Sequence, residues 1–244
     1  GISKGHLIAG ILAGLAACLI GAGWQVATRQ GVTTSLNPID LSLFRYGIPA
    51  LILAPIWIRG GLLPRNIPPL LVILMVAGAG LPFGLMVMAG SQFAPVAHLA
   101  ALLPGAMPIC VALLSRLFLS EKSNGAQIAG FLLIMAGISL ISHTSLSNAT
   151  LGTWRGDVLF LAAAFSWAVY VIAFRKSGLS PWQGAALVNG WSLFLVIPAW
   201  FLLQTGALFE AATADIITQI LWQGIFAGLL GLWVYGYSLI RIGA

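Results

Sequence analysis

Charge is scarce in this sequence. Asp, Glu, Lys and Arg make up 7% of its 244 residues, against about 25% in a soluble domain. A chain so short of charge and 60% hydrophobic has too little polar surface to be wetted, which excludes an ordinary soluble fold. Acids are the scarcest. Asp40, Glu121, Asp157, Glu210 and Asp215 are all there are, and none lies deep inside an apolar stretch. A proton relay through a membrane uses a buried carboxylate or His, so little proton coupling is expected. The net charge of +6 comes from Lys and Arg scattered between apolar blocks. They form no basic face, which excludes a nucleic-acid partner. Cys18 and Cys110 are the only cysteines; both sit in apolar stretches and read as small packing residues. The histidines His6, His98 and His143 are too far apart to read as a metal-ligand set. No H-E-x-x-H and no Ser/His/Asp set is visible, so an integral membrane enzyme would lack its nucleophile or metal. No repeated polar ring marks a channel filter. Neither catalysis nor a cofactor is expected; a membrane enzyme or channel survives as an alternative only if its key residues lie beyond the C-terminal end of this chain.

What the sequence has is long apolar runs. Roughly 20 apolar residues at about 1.5 Å rise cross a hydrocarbon core. Eight spans are predicted, at 7–27, 40–58, 68–90, 97–119, 126–142, 156–174, 182–203 and 216–240. The longest polar link, 143–155, is the natural midpoint. Lys4, Arg59, Arg65, Arg116, Lys122, Arg175, Lys176 and Arg241 fall on one side of the predicted membrane. Arg29 and Arg155 fall on the other, and Arg45 lies within a span. The positive-inside rule then predicts a cytoplasmic N-terminus and an integral, multi-pass protein of the cytoplasmic membrane.

The chain also repeats itself. Leu15-Ala16-Ala17, Ala22, Ala27 and Arg29 recur 146 residues on as Leu161-Ala162-Ala163, Ala168, Ala173 and Arg175, with Trp24 becoming Tyr170. Pro38, Gly47, Pro55 and Trp57 recur 143 on as Pro181, Gly190, Pro198 and Trp200. Gly84, Leu85, Val87, Ser91 and Ala97 recur 147 on as Gly231, Leu232, Val234, Ser238 and Ala244. A unit of five helices is odd, so its second copy crosses the membrane in the opposite sense. Inverted repeats are a transporter architecture with the substrate between the halves near the midplane. The expected fold is an all-α membrane bundle of two inverted five-helix units. Residues 1–147 form the first and 148–244 the second, cut after its third helix, so that eight of ten helices are present.

One segment carries a family resemblance. The helix from His98 to Leu119 holds Pro104 and Pro108 one turn apart. Each removes a backbone donor, and in lipid the freed carbonyls need protein or a water-filled cavity beside them. Leu119-Ser120-Glu121 follows, then Gln127, Gly130 and Gly137. This order resembles the EamA-type transporters of the drug/metabolite transporter superfamily, with Ser120 where that family usually has Gly. Ser166 to Lys176, SWAVYVIAFRK, is similar to the family's sixth helix. The family's first-copy Trp-Gly falls near Gly21-Ala22, whereas the Trp here is Trp24, one turn later. The resemblance implies a small-molecule carrier working by alternating access, with export its usual direction.

Arg45 is the one cation well inside a span. An Arg there costs at least about 2.5–3.5 kcal/mol unless paired or solvated. Two roles are open: snorkelling to the outer interface, or binding or gating substrate, and the family often has an Arg in its second helix. Glu121 is expected to pair with Lys122 or a neighbouring loop. Asp40 is placed to cap the second helix, and Asp157 and Asp215 to stand at helix N-termini. Gly10/Gly14, Gly80/Gly84 and Gly224/Gly228 are expected to let helices approach closely. Trp24, Gln25, Tyr170 and Tyr235, with His98 toward the outer mouth, are the candidate substrate-binding residues beside Arg45. Such a lining suits a neutral or zwitterionic metabolite, an amino acid or a lipophilic drug. A phosphorylated substrate would demand more Lys or Arg. The expected partners are that small molecule and the lipid bilayer; oligomeric state is not legible.

Overall fold

The computed structural model describes residues 4–121, 123–147 and 152–242. Lys122 and the predicted unit boundary at 147/148 touch or lie in the stretches outside it. Every regular element among the described residues is helical. They are α1 (Lys4–Thr34), α2 (Pro38–Ile52, then Ala54–Gly60), α3 (Pro69–Phe93), α4 (Val96–Phe118), α5 (Gly125–Ser147), α6 (Thr153–Ser177), α7 (Pro181–Leu203) and α8 (Thr213–Arg241). A four-residue helix, Ala207–Glu210, links α7 to α8. Among the described residues seven helices are long and apolar enough to cross a membrane, eight if the two parts of α2 count as one span. This is a multi-pass membrane bundle.

Local chemistry sets the helix ends. α2 and α7 begin with the same device, 143 residues apart. Asn37 accepts the Asp40 amide at 3.0 Å while Asp40 accepts the Asn37 amide at 3.2 Å. Ser180 and Gln183 repeat that reciprocal pair at 3.3 and 3.0 Å. Each box is followed by a proline at the first helical position, Pro38 or Pro181, where the missing N–H is no loss. Asp40 thus caps α2 from inside its first turn. α1 runs on to Thr34, past the predicted end at 27. Its polar last turn stays helical because the Thr33 and Thr34 hydroxyls return to the Arg29 and Gln30 carbonyls at 2.7 Å. Ser120 sits at φ 56°, a left-handed conformation that costs a non-glycine residue about 1–2 kcal/mol. That is the position where the resembled family has Gly.

Three helices depart from the uninterrupted spans read from the sequence. α2 bends by 67° at Leu53, two residues before Pro55, whose ring clashes with the preceding turn. The Trp57 indole donates to the Ala50 carbonyl across the bend at 2.8 Å. α3 breaks at Gly80, and Pro82 contributes no donor there. The Ser166 hydroxyl meets the Ala77 carbonyl at 2.9 Å and the Tyr46 hydroxyl meets the Gly80 carbonyl at 2.5 Å. The Leu81 amide turns to the Ser192 hydroxyl at 3.1 Å. Side chains from α6, α2 and α7 therefore satisfy the opened backbone, as a low-dielectric setting requires. Third, α8 is wound as a π-helix from Ile220 to Gly231, and α2 carries a shorter π turn, Leu43–Gly47.

The helices interleave. α1 packs along α8, and α6 packs along both α3 and α4. α7 and α8 both pack on the π turn of α2. Arg29, near the end of α1, donates to the Ser91 carbonyl at the end of α3. Arg175, near the end of α6, reaches Glu121 just past the end of α4. α4 runs between those two places, so α1 and α6 point in opposite directions and Arg29 and Arg175 lie at opposite ends of the bundle. The glycine pairs serve contact as expected. A Cβ at Gly84 would overlap the Tyr46 hydroxyl, and one at Gly228 the Arg45 carbonyl. α4 buries Leu99, Leu102, Leu103 and Ala106, whereas Pro104 and Pro108 lie on its exposed face.

Candidate functional site

Arg45 of α2 stands against a deep polar cluster that ties α1 to α8. Its residue is 3% exposed, which rules out snorkelling. Its guanidinium carbon lies 4.4 Å from the Trp24 ring centroid and 5.6 Å from that of Tyr46. Such contacts contribute about 0.5–2 kcal/mol when desolvated. Nε and Nη1 have no hydrogen-bond partner. Arg45 occupies the π turn of α2, and Gly228 of α8 lies against its carbonyl. The backbone is therefore clamped while the side chain keeps unused donors.

Beside it a ladder ties α1 to α8. The Trp24 indole donates to Gln223 Oε1 at 2.6 Å. Gln223 Nε2 donates to the Thr28 hydroxyl at 2.9 Å and to Gln219 Oε1 at 3.1 Å. Gln219 Nε2 donates to the Ala27 carbonyl at 2.8 Å. Gln219 and Gln223 are four residues apart and share a helix face. A Cβ at Gly31 would overlap Gln219, and one at Gly23 the Trp222 ring.

From Trp24 an aromatic series runs down the bundle. Phe83 stacks on Trp24 at 6.1 Å, Trp167 follows Phe83 at 5.0 Å, and Trp167 contacts Tyr170 at 5.2 Å and Tyr235 at 5.1 Å. Phe174 ends it at 5.7 Å from Tyr170. Trp167 sits at the middle of α6 and Phe83 just beyond the break in α3. These separations are in the range of favourable aromatic pairs.

Of the residues singled out from the sequence, Trp24 and Arg45 touch directly, and Tyr170 and Tyr235 join them through Phe83 and Trp167. Gln25 is buried but takes no part in the ladder. His98 stands elsewhere: its Nδ1 lies 2.9 Å from Asp157 Oδ1. The structure also corrects the reading of the acids. Asp40 and Asp157 are 1% and 4% exposed, so two carboxylates are deeply buried although both start helices. Asp40 Oδ1 accepts the Trp200 indole at 2.8 Å. Asp215 accepts the Ser35 hydroxyl at 2.8 Å. Glu121 pairs with Arg175 of α6 at 2.6 and 3.1 Å. Those hydrogen bonds, then the Arg175 charge, hold its carboxyl below the usual range. Gln219, Gln223, Thr28, Phe83 and Trp167 were missed. The spacing of the two glutamines inside an apolar run was the available signal.

Among the described residues no three His, Cys, Asp or Glu side chains gather to hold a metal ion. A shallow cleft between Trp57, Pro64, Gln183 and Leu187 shares no residue with the cluster, and its lining offers no charge.

Discontinuous helices around a buried polar centre, in a multi-pass bundle, are the build of a membrane transporter. The family model for EamA-like transporters matches residues 8–143, more than half of the chain, and the chain belongs to that family. It is 29% identical to the uncharacterized inner membrane transporter YhbE of Escherichia coli, over 93% of this chain and 71% of that protein. An uncharacterized transporter of Archaeoglobus fulgidus is 24% identical over 82% of this chain and 70% of its own length. The uncharacterized transporter YvbV of Bacillus subtilis is 28% identical over 56% and 44%.

Proposed function

We propose that this protein is a secondary carrier of small zwitterionic or neutral metabolites, amino acids foremost, and that it works by alternating access in the direction of export. Arg45 is the observation that carries the reading. A buried guanidinium with unused donors, held against Trp24, is matched to a carboxylate, which it would bind by charge-assisted hydrogen bonds. The aromatic series through Phe83, Trp167, Tyr170 and Tyr235 supplies apolar walls, Gln25 lies beside Trp24, and His98 stands toward the mouth. A single cation suits one carboxylate and falls short of a phosphate's charge.

The reading includes two inverted units, 1–147 and 148–244, as parts of a ten-helix bundle. It is supported by the matched capping boxes of α2 and α7 and by the opposite directions of α1 and α6. The packing of α1 on α8 and of α6 on α3 follows the same pairing under the exchange of units. The two further helices would lie against the exposed Pro104 and Pro108 face of α4. The charge bias supports a cytoplasmic N-terminus in the inner membrane.

Flux of labelled amino acids and of phosphorylated sugars into proteoliposomes tests the substrate. Amino-acid flux that falls in Trp24→Ala and Tyr170→Ala is expected. Uptake of the phosphorylated compounds alone would refute the assignment.

A further inference from the structure

The bare donors of Arg45 have a counterpart of opposite polarity. Asn189 of α7 is fully buried, and its Oδ1 has no hydrogen-bond partner. Its neighbours fix which arm of the amide is which. Nδ2 meets the Ala185 carbonyl at 2.9 Å and the Gly228 carbonyl at 3.2 Å. Both neighbours only accept, so that arm carries the hydrogens and the bare arm is the oxygen. A tie between helices needs one arm alone. Tyr46, at the same offset of 143 residues that pairs Pro38 with Pro181, makes the matching tie to the Gly80 carbonyl with its one hydroxyl. Asn189 makes its tie and keeps an acceptor over.

Arg45 and Asn189 share two neighbours. The first is Gly228 of α8. A Cβ there would overlap the Arg45 carbonyl, and the Gly228 carbonyl accepts Asn189. The second is the break in α3. Tyr46, next to Arg45, holds the Gly80 carbonyl at 2.5 Å. Ser192, one turn after Asn189 on the same face, holds the Leu81 amide at 3.1 Å. Trp24, whose face carries the guanidinium, stacks on Phe83 in the first turn beyond the break. Bare donors and a bare acceptor therefore meet at one crossing of α2, α3, α7 and α8.

An ammonium at this crossing has no free carboxylate to choose. Asp40 is taken on both oxygens, by the Trp200 indole and the Asn37 amide. Glu121 pairs with Arg175, Asp157 stands beside His98, and Asp215 accepts Ser35. Glu210 lies in the short helix that links α7 to α8. A neutral oxygen remains, and an ammonium donates to it by a charge-assisted hydrogen bond. Neutrality serves the site, because a carboxylate at this place would compete for the guanidinium itself.

We propose that Asn189 Oδ1 is the ammonium subsite of the carrier and, with Arg45, selects molecules that bear an ammonium and a carboxylate on one carbon. The inference rests on the reading of Arg45 as the carboxylate site. The carboxylate takes the guanidinium and the ammonium donates to Asn189. Gly228, with no side chain, leaves the space between them open. A deaminated acid leaves the amide oxygen bare, and sites built from buried polar groups reject ligands that do so.

The test uses the full chain in nanodiscs and reads intrinsic tryptophan fluorescence. Each neutral amino acid is titrated beside its deaminated acid and its N-trimethylated form, which keeps the charge but has no N–H. Wild type should bind the amino acid about tenfold to a hundredfold tighter than either analogue. Asn189→Leu should bring the amino acid down to the level of the analogues and leave the deaminated acid unchanged, which also shows that the variant is folded. Arg45→Met should lose all three. Equal affinity of wild type for amino acid and deaminated acid, or a preference that survives Asn189→Leu, would overturn the ammonium subsite while leaving the carboxylate reading of Arg45 intact. If Asn189→Leu binds none of the three, the wild-type comparison decides by itself. A panel in which neither amino acids nor deaminated acids bind wild type overturns the substrate reading, and the subsite falls with it.

Discussion

The Arg45 guanidinium carbon lies 4.4 Å from the centroid of the Trp24 ring, and two of its nitrogens donate to nothing. The Trp24 indole N–H is turned the other way, into Gln223 at 2.6 Å. One ring thus fixes the cation by its face and the α8 ladder by its edge.

Arg45→Met should separate stability from transport. Replacing a buried, half-satisfied charge with an apolar side chain of similar length is often neutral or stabilising by about 1–4 kcal/mol. The variant is expected to melt at the same or a higher temperature in detergent and to lose amino-acid flux. A lower melting temperature together with intact flux would contradict the role given to Arg45.

Gln223→Leu removes the acceptor of Trp24 and the donor to Thr28 in one change. Leaving buried polar groups unsatisfied costs about 1–3 kcal/mol for each. A clear drop in thermal stability is expected, whereas exposed Gln92→Leu should have little effect. Scanning both by intrinsic fluorescence checks this.

Gly228→Ala drives a methyl into the Arg45 carbonyl and Pro49. Overpacking of this kind costs about 1–3 kcal/mol, and here it also displaces the π turn that carries Arg45. Weaker substrate affinity and lower stability are both expected. Gly130→Ala, where nothing lies within 4 Å, should leave both unchanged.

Ser120→Gly should stabilise the α4–α5 turn. The left-handed backbone at φ 56° suits glycine, and after the extra unfolded-state freedom of Gly the net gain is about 0.5–1 kcal/mol. Slower proteolysis of the turn is the readout.

Glu121→Gln should show a defined pH dependence. The Glu121 carboxyl sits below its usual range in the folded protein because of Arg175. Its contribution is therefore fully present above the ordinary carboxylate range and is lost as pH falls through the lowered value. The melting difference between wild type and variant should be measurable at pH 7 and vanish in strong acid. The side chain is 49% exposed, so the difference is small and shrinks with salt.

Sequence alone determined the membrane bundle, because apolar runs of spanning length and a lack of charge admit no other solvent. It also marked Asp40 as a cap of the second helix and named the contact glycines, since caps and missing Cβ atoms act within a turn or two of themselves. It exposed Arg45 as anomalous, for a cation in an apolar run is visible by contrast. It did not decide what Arg45 does. Snorkelling or burial depends on which neighbours cover the side chain, and those are Trp24 and Tyr46, with Gly228 clamping the backbone of its turn. The breaks at Leu53 and Gly80 and the long π stretch of α8 were equally hidden. At α3 the opened backbone persists because side chains from other helices, Tyr46, Ser166 and Ser192, take up groups that lipid would leave bare. Pairing across long sequence separations also decided the acids. Asp157 and Glu121 read alike as carboxylates at span ends. Only the packing of α4 on α6 gave one a half-buried histidine and the other a half-buried arginine.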